Sequence, residues 1–167
     1  MLYVILSAAL VLIDQITKIL TVKNIPFEDS INVISGVLSL TYIKNTGAAW
    51  GIFAGARYFF IIFTAVVLVV LTYIIIKKRT SNKIFNFSIS LIYAGAIGNF
   101  IDRIFRNGGV VDMIKLDFIN YPVFNFADCC VVVGAILICI YIIFFYDKDK
   151  SKAGEDKLKT DGEQDNG

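Results

Sequence analysis

The chain has 167 residues, a net charge of +2, 57% hydrophobic residues and only 18% charged ones. Its mean hydropathy of +0.71 excludes an ordinary soluble domain, and this length leaves room for one membrane bundle and little else. Basic residues are spread along the chain, so nucleic acid is not an expected partner, and the absence of histidine removes the commonest general base and metal ligand.

Four apolar runs follow in chain order: Leu2 to Val22, Tyr58 to Ile76, Ile84 to Phe105 and Phe126 to Tyr146. Each is near the ~20 residues that a helix needs to cross ~30 Å of hydrocarbon. The first run has no basic residues ahead of it, and Asp14 and Lys18 interrupt its far half. That pattern predicts a retained span and not a cleaved signal peptide. Between the first two runs, Asn32 to Phe53 is rich in β-branched and aromatic residues and alternates in part from Val37 to Ile43. Short strands are expected around Gly36 and Gly47, lying on the membrane surface, with a second β-like patch at Val110 to Ile114. Such a platform suits an extended peptide held by backbone pairing, and equally suits a cap over the bundle. The expected fold is an all-α membrane protein of four transmembrane helices with a small extracytoplasmic β-rich platform. Residues 1–146 are read as one membrane domain, and 147–167 as a disordered charged tail.

Basic residues set the orientation. The second and third runs are joined by Lys77-Lys78-Arg79-Thr80-Ser81-Asn82-Lys83, and the tail carries Lys148, Lys150 and Lys152. Such clusters stay cytoplasmic, which puts both termini inside and the segments Lys23 to Arg57 and Arg106 to Asn125 outside.

Two acids at that outer level stand out. Asp112 lies in Gly-Gly-Val-Val-Asp-Met-Ile, and Asp128 in Phe-Asn-Phe-Ala-Asp-Cys-Cys at the start of the last run. Ionisable groups at the edge of hydrocarbon are costly, and a carboxylate pair is the best hydrolytic machinery left without histidine. Each has a plainer explanation: Asp112 as a solvated loop acid, Asp128 as the third residue of a helix capped by Asn125. Asp14 and Lys18 are four apart and suit a buried salt bridge. Asn99 and Arg103 are also four apart, with Gly95 and Gly98 before them permitting close helix approach; Asp102 and Arg103 also suit a simple anchor at the headgroups. Cys129, Cys130 and Cys139 fall within the last run and fit apolar packing better than a disulfide or a zinc site.

Five strings then resemble, in order, the motifs of bacterial lipoprotein signal peptidase, signal peptidase II. They are Asp14-Gln15-Ile16-Thr17-Lys18, Asn45-Thr46-Gly47-Ala48-Ala49-Trp50, Gly98-Asn99-Phe100-Ile101-Asp102-Arg103, Val110-Val111-Asp112 and Phe124-Asn125-Phe126-Ala127-Asp128. The one departure is Cys129-Cys130, where the family more often has small residues such as Ser or Ala; it leaves the acid pair intact. The resemblance implies an aspartic endopeptidase of the bacterial cytoplasmic membrane that cuts prolipoproteins just before the diacylglyceryl-modified cysteine of the lipobox. Asp112 and Asp128 match its catalytic pair. Asn45, Asn99, Arg103 and Asn125 match residues lining the site, and Asp14 and Lys18 the buried pair of the first helix. No metal or organic cofactor is implied. The expected partners are the prolipoprotein and membrane lipid, and the expected state is a monomer. The alternatives are a small proton-coupled transporter using Asp14, or a non-enzymatic lipid-binding membrane factor.

Overall fold

Four helices long and apolar enough to cross a membrane carry a three-stranded antiparallel sheet at one end. In this computed structural model, residues 2–47, 53, 55–77, 82–106 and 109–150 are described. The order is α1 (Leu2–Asn24), β1 (Ser30–Ile34), β2 (Leu38–Asn45), α2 (Arg57–Lys77), α3 (Lys83–Phe105), β3 (Val110–Leu116) and α4 (Phe126–Phe144). The fold class expected from sequence is the one observed. Residues 146–150 are also helical, with Asp149 N–H bonded to the Phe145 carbonyl at 3.0 Å. Helical backbone thus continues past Asp147, where composition alone suggests a disordered tail; the rest of that tail lies outside the described residues.

The helices are turned inside out relative to those of a soluble protein. The buried residues of α1 are Ser7, Asp14, Lys18 and Thr21, spaced so that they share one face. Leu12, Ile16, Val69, Ile136 and Ile143 are more than half bare, as suits side chains facing lipid. The central helix is α3, packed against α1, α2 and α4, whereas α2 packs chiefly on α3. Small residues let these helices close up. A Cβ on Gly95 would run into the Ala127 carbonyl oxygen, and one on Gly134 would sit 2.9 Å from the Ser88 carbonyl oxygen.

The platform begins with a β1–β2 hairpin whose turn places Gly36 at φ 69°. There the left-handed backbone favours glycine. On its other side β2 pairs with β3, Ile43 opposite Asp112 and Asn45 opposite Val110. Ile25, Tyr42, Val111 and Met113 form the small core beneath. The strand expected to extend towards Phe53 ends at Asn45, because its Oδ1 turns back to accept the Gly47 N–H at 3.0 Å. Such a side-chain turn competes with the ladder. Ala48 to Trp50 of that motif lie outside the described residues.

Asn125 starts α4. It accepts the Asp128 N–H at 3.0 Å, and the Asp128 carboxylate accepts the Asn125 N–H at 3.1 Å, a reciprocal capping box.

Two stability effects follow. Gly95→Ala should cost about 1–3 kcal/mol by wedging α3 from α4, read as a lower Tm in detergent; an unchanged Tm would mean that the helices are not in close contact there. Asn125→Ala should cost about 1–2 kcal/mol through the lost cap, while Asn125→Ser, which keeps a capping oxygen, should restore most of the Tm.

Candidate active site

Asp112 reaches the site from β3 and is only 2% exposed, so it is not the solvated loop acid that sequence alone allowed. Asp128 reaches it from the first turn of α4 and is half-buried. Asparagines join the two. Asn125 Nδ2 donates to Asp112 Oδ1 at 2.6 Å and to Asn99 Oδ1 at 3.1 Å. Asn99 Nδ2 donates to Asp128 Oδ1 at 2.7 Å. From β2, Asn45 Nδ2 donates to Asp112 Oδ2 at 3.0 Å. Both oxygens of each acid therefore carry a partner, and residues from four elements meet at one point.

Burial holds Asp112 above the ordinary carboxylate range, and the nearby Asp128 charge pushes it further, up to about 7; the amides of Asn45 and Asn125 and the charge of Lys18 oppose the rise. These are the expected signs for a desolvated carboxylate beside a like charge.

Asp128, Asn99 and Arg103 line a cavity of about 350 Å³ with Phe60 and Phe63 of α2 and Val131 of α4. Arg103 bonds to neither acid of the pair in the described contacts. Its guanidinium lies 5.1 Å from the centre of the Phe60 ring and donates to the Asn99 carbonyl at 3.3 Å. A cation over a ring face, beside apolar walls, can receive a carbonyl or a carboxylate.

Asp14 and Lys18 form their salt bridge at 3.0 Å behind the asparagines, both buried. Asp102, expected at most as a headgroup anchor beside Arg103, is instead fully enclosed. It pairs with Lys18 at 3.2 Å and with Arg106 at 3.0 Å. Gln15 donates to Asp14 and Asp102 from between them, at 3.1 and 3.2 Å. From the sequence, Asp102 reads as a headgroup anchor, and nothing marks Gln15 or Arg106 as its partners beyond the spacing Asp102–Arg106, one helical turn.

A sequence model described as signal peptidase (SPase) II matches residues 6–144. The chain is similar to proteins named lipoprotein signal peptidase in several bacteria. That of Enterococcus faecalis is 46% identical over 153 residues, 92% of this chain and 93% of that protein. That of Lactococcus lactis subsp. lactis is 51% identical over 130 residues, 78% and 85%. That of Staphylococcus aureus is 40% identical over 158 residues, 93% and 94%. A bacterial membrane enzyme solved by the in meso method at 2.3 Å resolution superposes with a TM-score of 0.80 and 39% identity over 90% of each chain. With most of its length matched by the family and by its relatives, and with four membrane helices, this chain belongs to the signal peptidase II family of membrane aspartic peptidases.

Proposed function

We propose that the protein removes signal peptides from prolipoproteins, cutting just before the lipid-modified cysteine, with Asp112 and Asp128 as its catalytic pair. The observation that carries this reading is the meeting of the two carboxylates, through Asn99 and Asn125, at the wall of a cavity bounded by α2, α3 and α4. Family membership favours neither a transporter nor a non-enzymatic factor.

Two neighbouring carboxylates share one proton near neutral pH. The ionised member takes a proton from water as the oxygen adds to the scissile carbonyl carbon. The protonated member gives its proton to the carbonyl oxygen. As the tetrahedral intermediate collapses, one of its hydroxyls returns a proton to the ionised member, the C–N bond breaks, and the amine leaves with the proton of the other member, so the pair again holds one proton. Acid and base are assigned to the pair as a unit, because a proton shared by two close carboxyl groups belongs to both. Asn99 and Asn125 hold the carboxylates in place without titrating themselves, and Arg103 is positioned to grip the peptide backbone.

The substrate's apolar helix and diacylglyceryl chains arrive within the bilayer. Because α2 packs chiefly on α3, its side towards α4 supplies a lateral approach, lined by Phe60, Phe63 and Val132. The basic clusters support cytoplasmic termini and a site near the extracytoplasmic face of the cytoplasmic membrane.

In detergent or vesicles with a diacylglyceryl-modified prolipoprotein peptide, Asp112→Asn and Asp128→Asn should each leave the precursor uncleaved. The double variant should be little worse than either single one, as for residues that act together. Near-normal turnover by inserted, folded Asp112→Asn protein would overturn the assignment.

The wild-type kcat/KM should fall as pH rises through about 7, where Asp112 gives up the shared proton. Asn45→Ala removes a hydrogen bond that favours ionised Asp112, so this alkaline limb should move to higher pH. A shift to lower pH would contradict the role given to Asn45.

A further inference from the structure

We infer that Asp14, Lys18 and Asp102 are positioning residues that set the spacing of Asp112 and Asp128 through the backbone, without touching substrate. This rests on the reading of those two aspartates as the catalytic pair.

The geometry is nearly symmetrical. Asp14 Oδ1 accepts the N–H of Ala127, the residue before Asp128, at 3.0 Å. Asp102 Oδ2 accepts the N–H of Val111, the residue before Asp112, at 3.0 Å. One ammonium ties the two acids together: Lys18 Nζ lies 3.0 Å from Asp14 Oδ2 and 3.2 Å from Asp102 Oδ2. A third contact, 3.0 Å to Asn99 Oδ1, leads on to Asp128 through the Asn99 amide. An ammonium has three donors, and all three are used here. Lys18 is 0% exposed, Asp14 1% and Asp102 0%, so none of them has a free edge to offer a peptide. Gln15 Nε2 reinforces the bridge with donations to both acids and to the Gly98 carbonyl at 3.2 Å.

Ala127 lies at a helix start and Val111 in a strand; Met113 and Ile114 pair with Phe124 to join the two elements at one point, and Asp14 and Asp102 fix the peptide groups next to the aspartates themselves. Fixing the N–H that precedes each aspartate fixes the backbone from which its side chain departs. A salt-bridged cluster used only for stability could sit at any depth of the bundle. This one grips the two peptide groups next to the pair, and a misplacement of about 1 Å at reacting groups costs on the order of 100-fold in rate.

Lys18 also acts on Asp112 through its charge, alongside Asp128 from α4 and Arg103 from α3; Asp102 of α3 is bonded to the neighbouring Val111 N–H, and Lys44 of β2, beside it in the sheet, is exposed. Removing the ammonium should therefore let Asp112 keep its proton to higher pH.

The test compares Lys18→Gln and Gln15→Met with wild type and with Asp112→Asn, using kcat, KM and the pH profile on the diacylglyceryl-modified prolipoprotein. Lys18→Gln should lose about 100-fold in kcat with KM changed little, and its alkaline limb should move to higher pH. A loss of folded fraction alone would lower the amplitude without moving that limb. Gln15→Met, which buries no unpaired charge, should lose about tenfold in kcat at constant KM, by the same sensitivity to misplacement. It decides the matter if Lys18→Gln does not fold. The inference is overturned if KM rises while kcat holds, which would make Lys18 a substrate contact. It is also overturned if kcat and limb both stay at wild-type values in Lys18→Gln, or in Gln15→Met where that is the only folded variant. Asp112→Asn separates the two levels. If it still cleaves, the pair itself is misassigned; if it is inactive while the others are normal, only the positioning role falls.

Discussion

An ionised side chain sealed inside a membrane bundle survives only when its charge and its hydrogen-bonding positions are all met. That requirement orders the sheet end of this protein. The Lys18 ammonium is enclosed completely, and around it stand Asp14, Asp102 and Asn99, each from a turn of α1 or α3 that must approach closely to serve it. Close approach needs small residues on the facing surfaces, and Gly95 and Gly98 on α3 lie against Ala127 of α4. Removing a residue from this cluster would leave a charge without its partner, and so the helices, the strand and the pair of acids hold their places together.

The absence of histidine shapes the chemistry as much as the acids do. Among the described residues, every group hydrogen-bonded to the Asp112 and Asp128 side chains is an amide, from Asn45, Asn99, Asn125 or the Asn125 backbone. An amide donates and accepts in fixed directions and does not exchange its charge state near neutral pH. In the proposed reaction the proton therefore moves only among the two carboxyl groups, the attacking water and the substrate. Asn99 illustrates the economy: its oxygen accepts from Lys18 and Asn125 while its nitrogen holds Asp128.

Much of this was legible in the sequence, and the divide is physical. Hydropathy carries the four helices, because membrane spans must be long and apolar throughout. Local spacing carries the Asp14–Lys18 pair and the Asn125 cap, since both partners lie within one turn. Asp102 was misjudged because its partners Lys18 and Gln15 are over eighty residues away, and an acid beside an arginine at a helix end looks like a surface anchor. The strand end at Asn45 was missed for a similar reason: a β-rich composition continues to Phe53, but one side-chain turn at Gly47 outweighs it. Arg103 was placed at the site by its motif, yet nothing local could show that Phe60 of α2 would hold its guanidinium.

The pairing of Ile43 with Asp112 across β2 and β3 has a consequence for how this enzyme can change over time. Side chains alternate across a strand, so inserting or deleting a single residue between Val110 and Asp112 would turn the acid to the opposite face of the sheet. Most loops absorb such length changes with a graded loss. Here the outcome is binary: the carboxylate either faces Asn125 or faces away from it. Length variation among descendants of this chain should therefore be confined to the turns and the tail, while the stretch from Val110 to Asp112 keeps its frame even where its side chains drift.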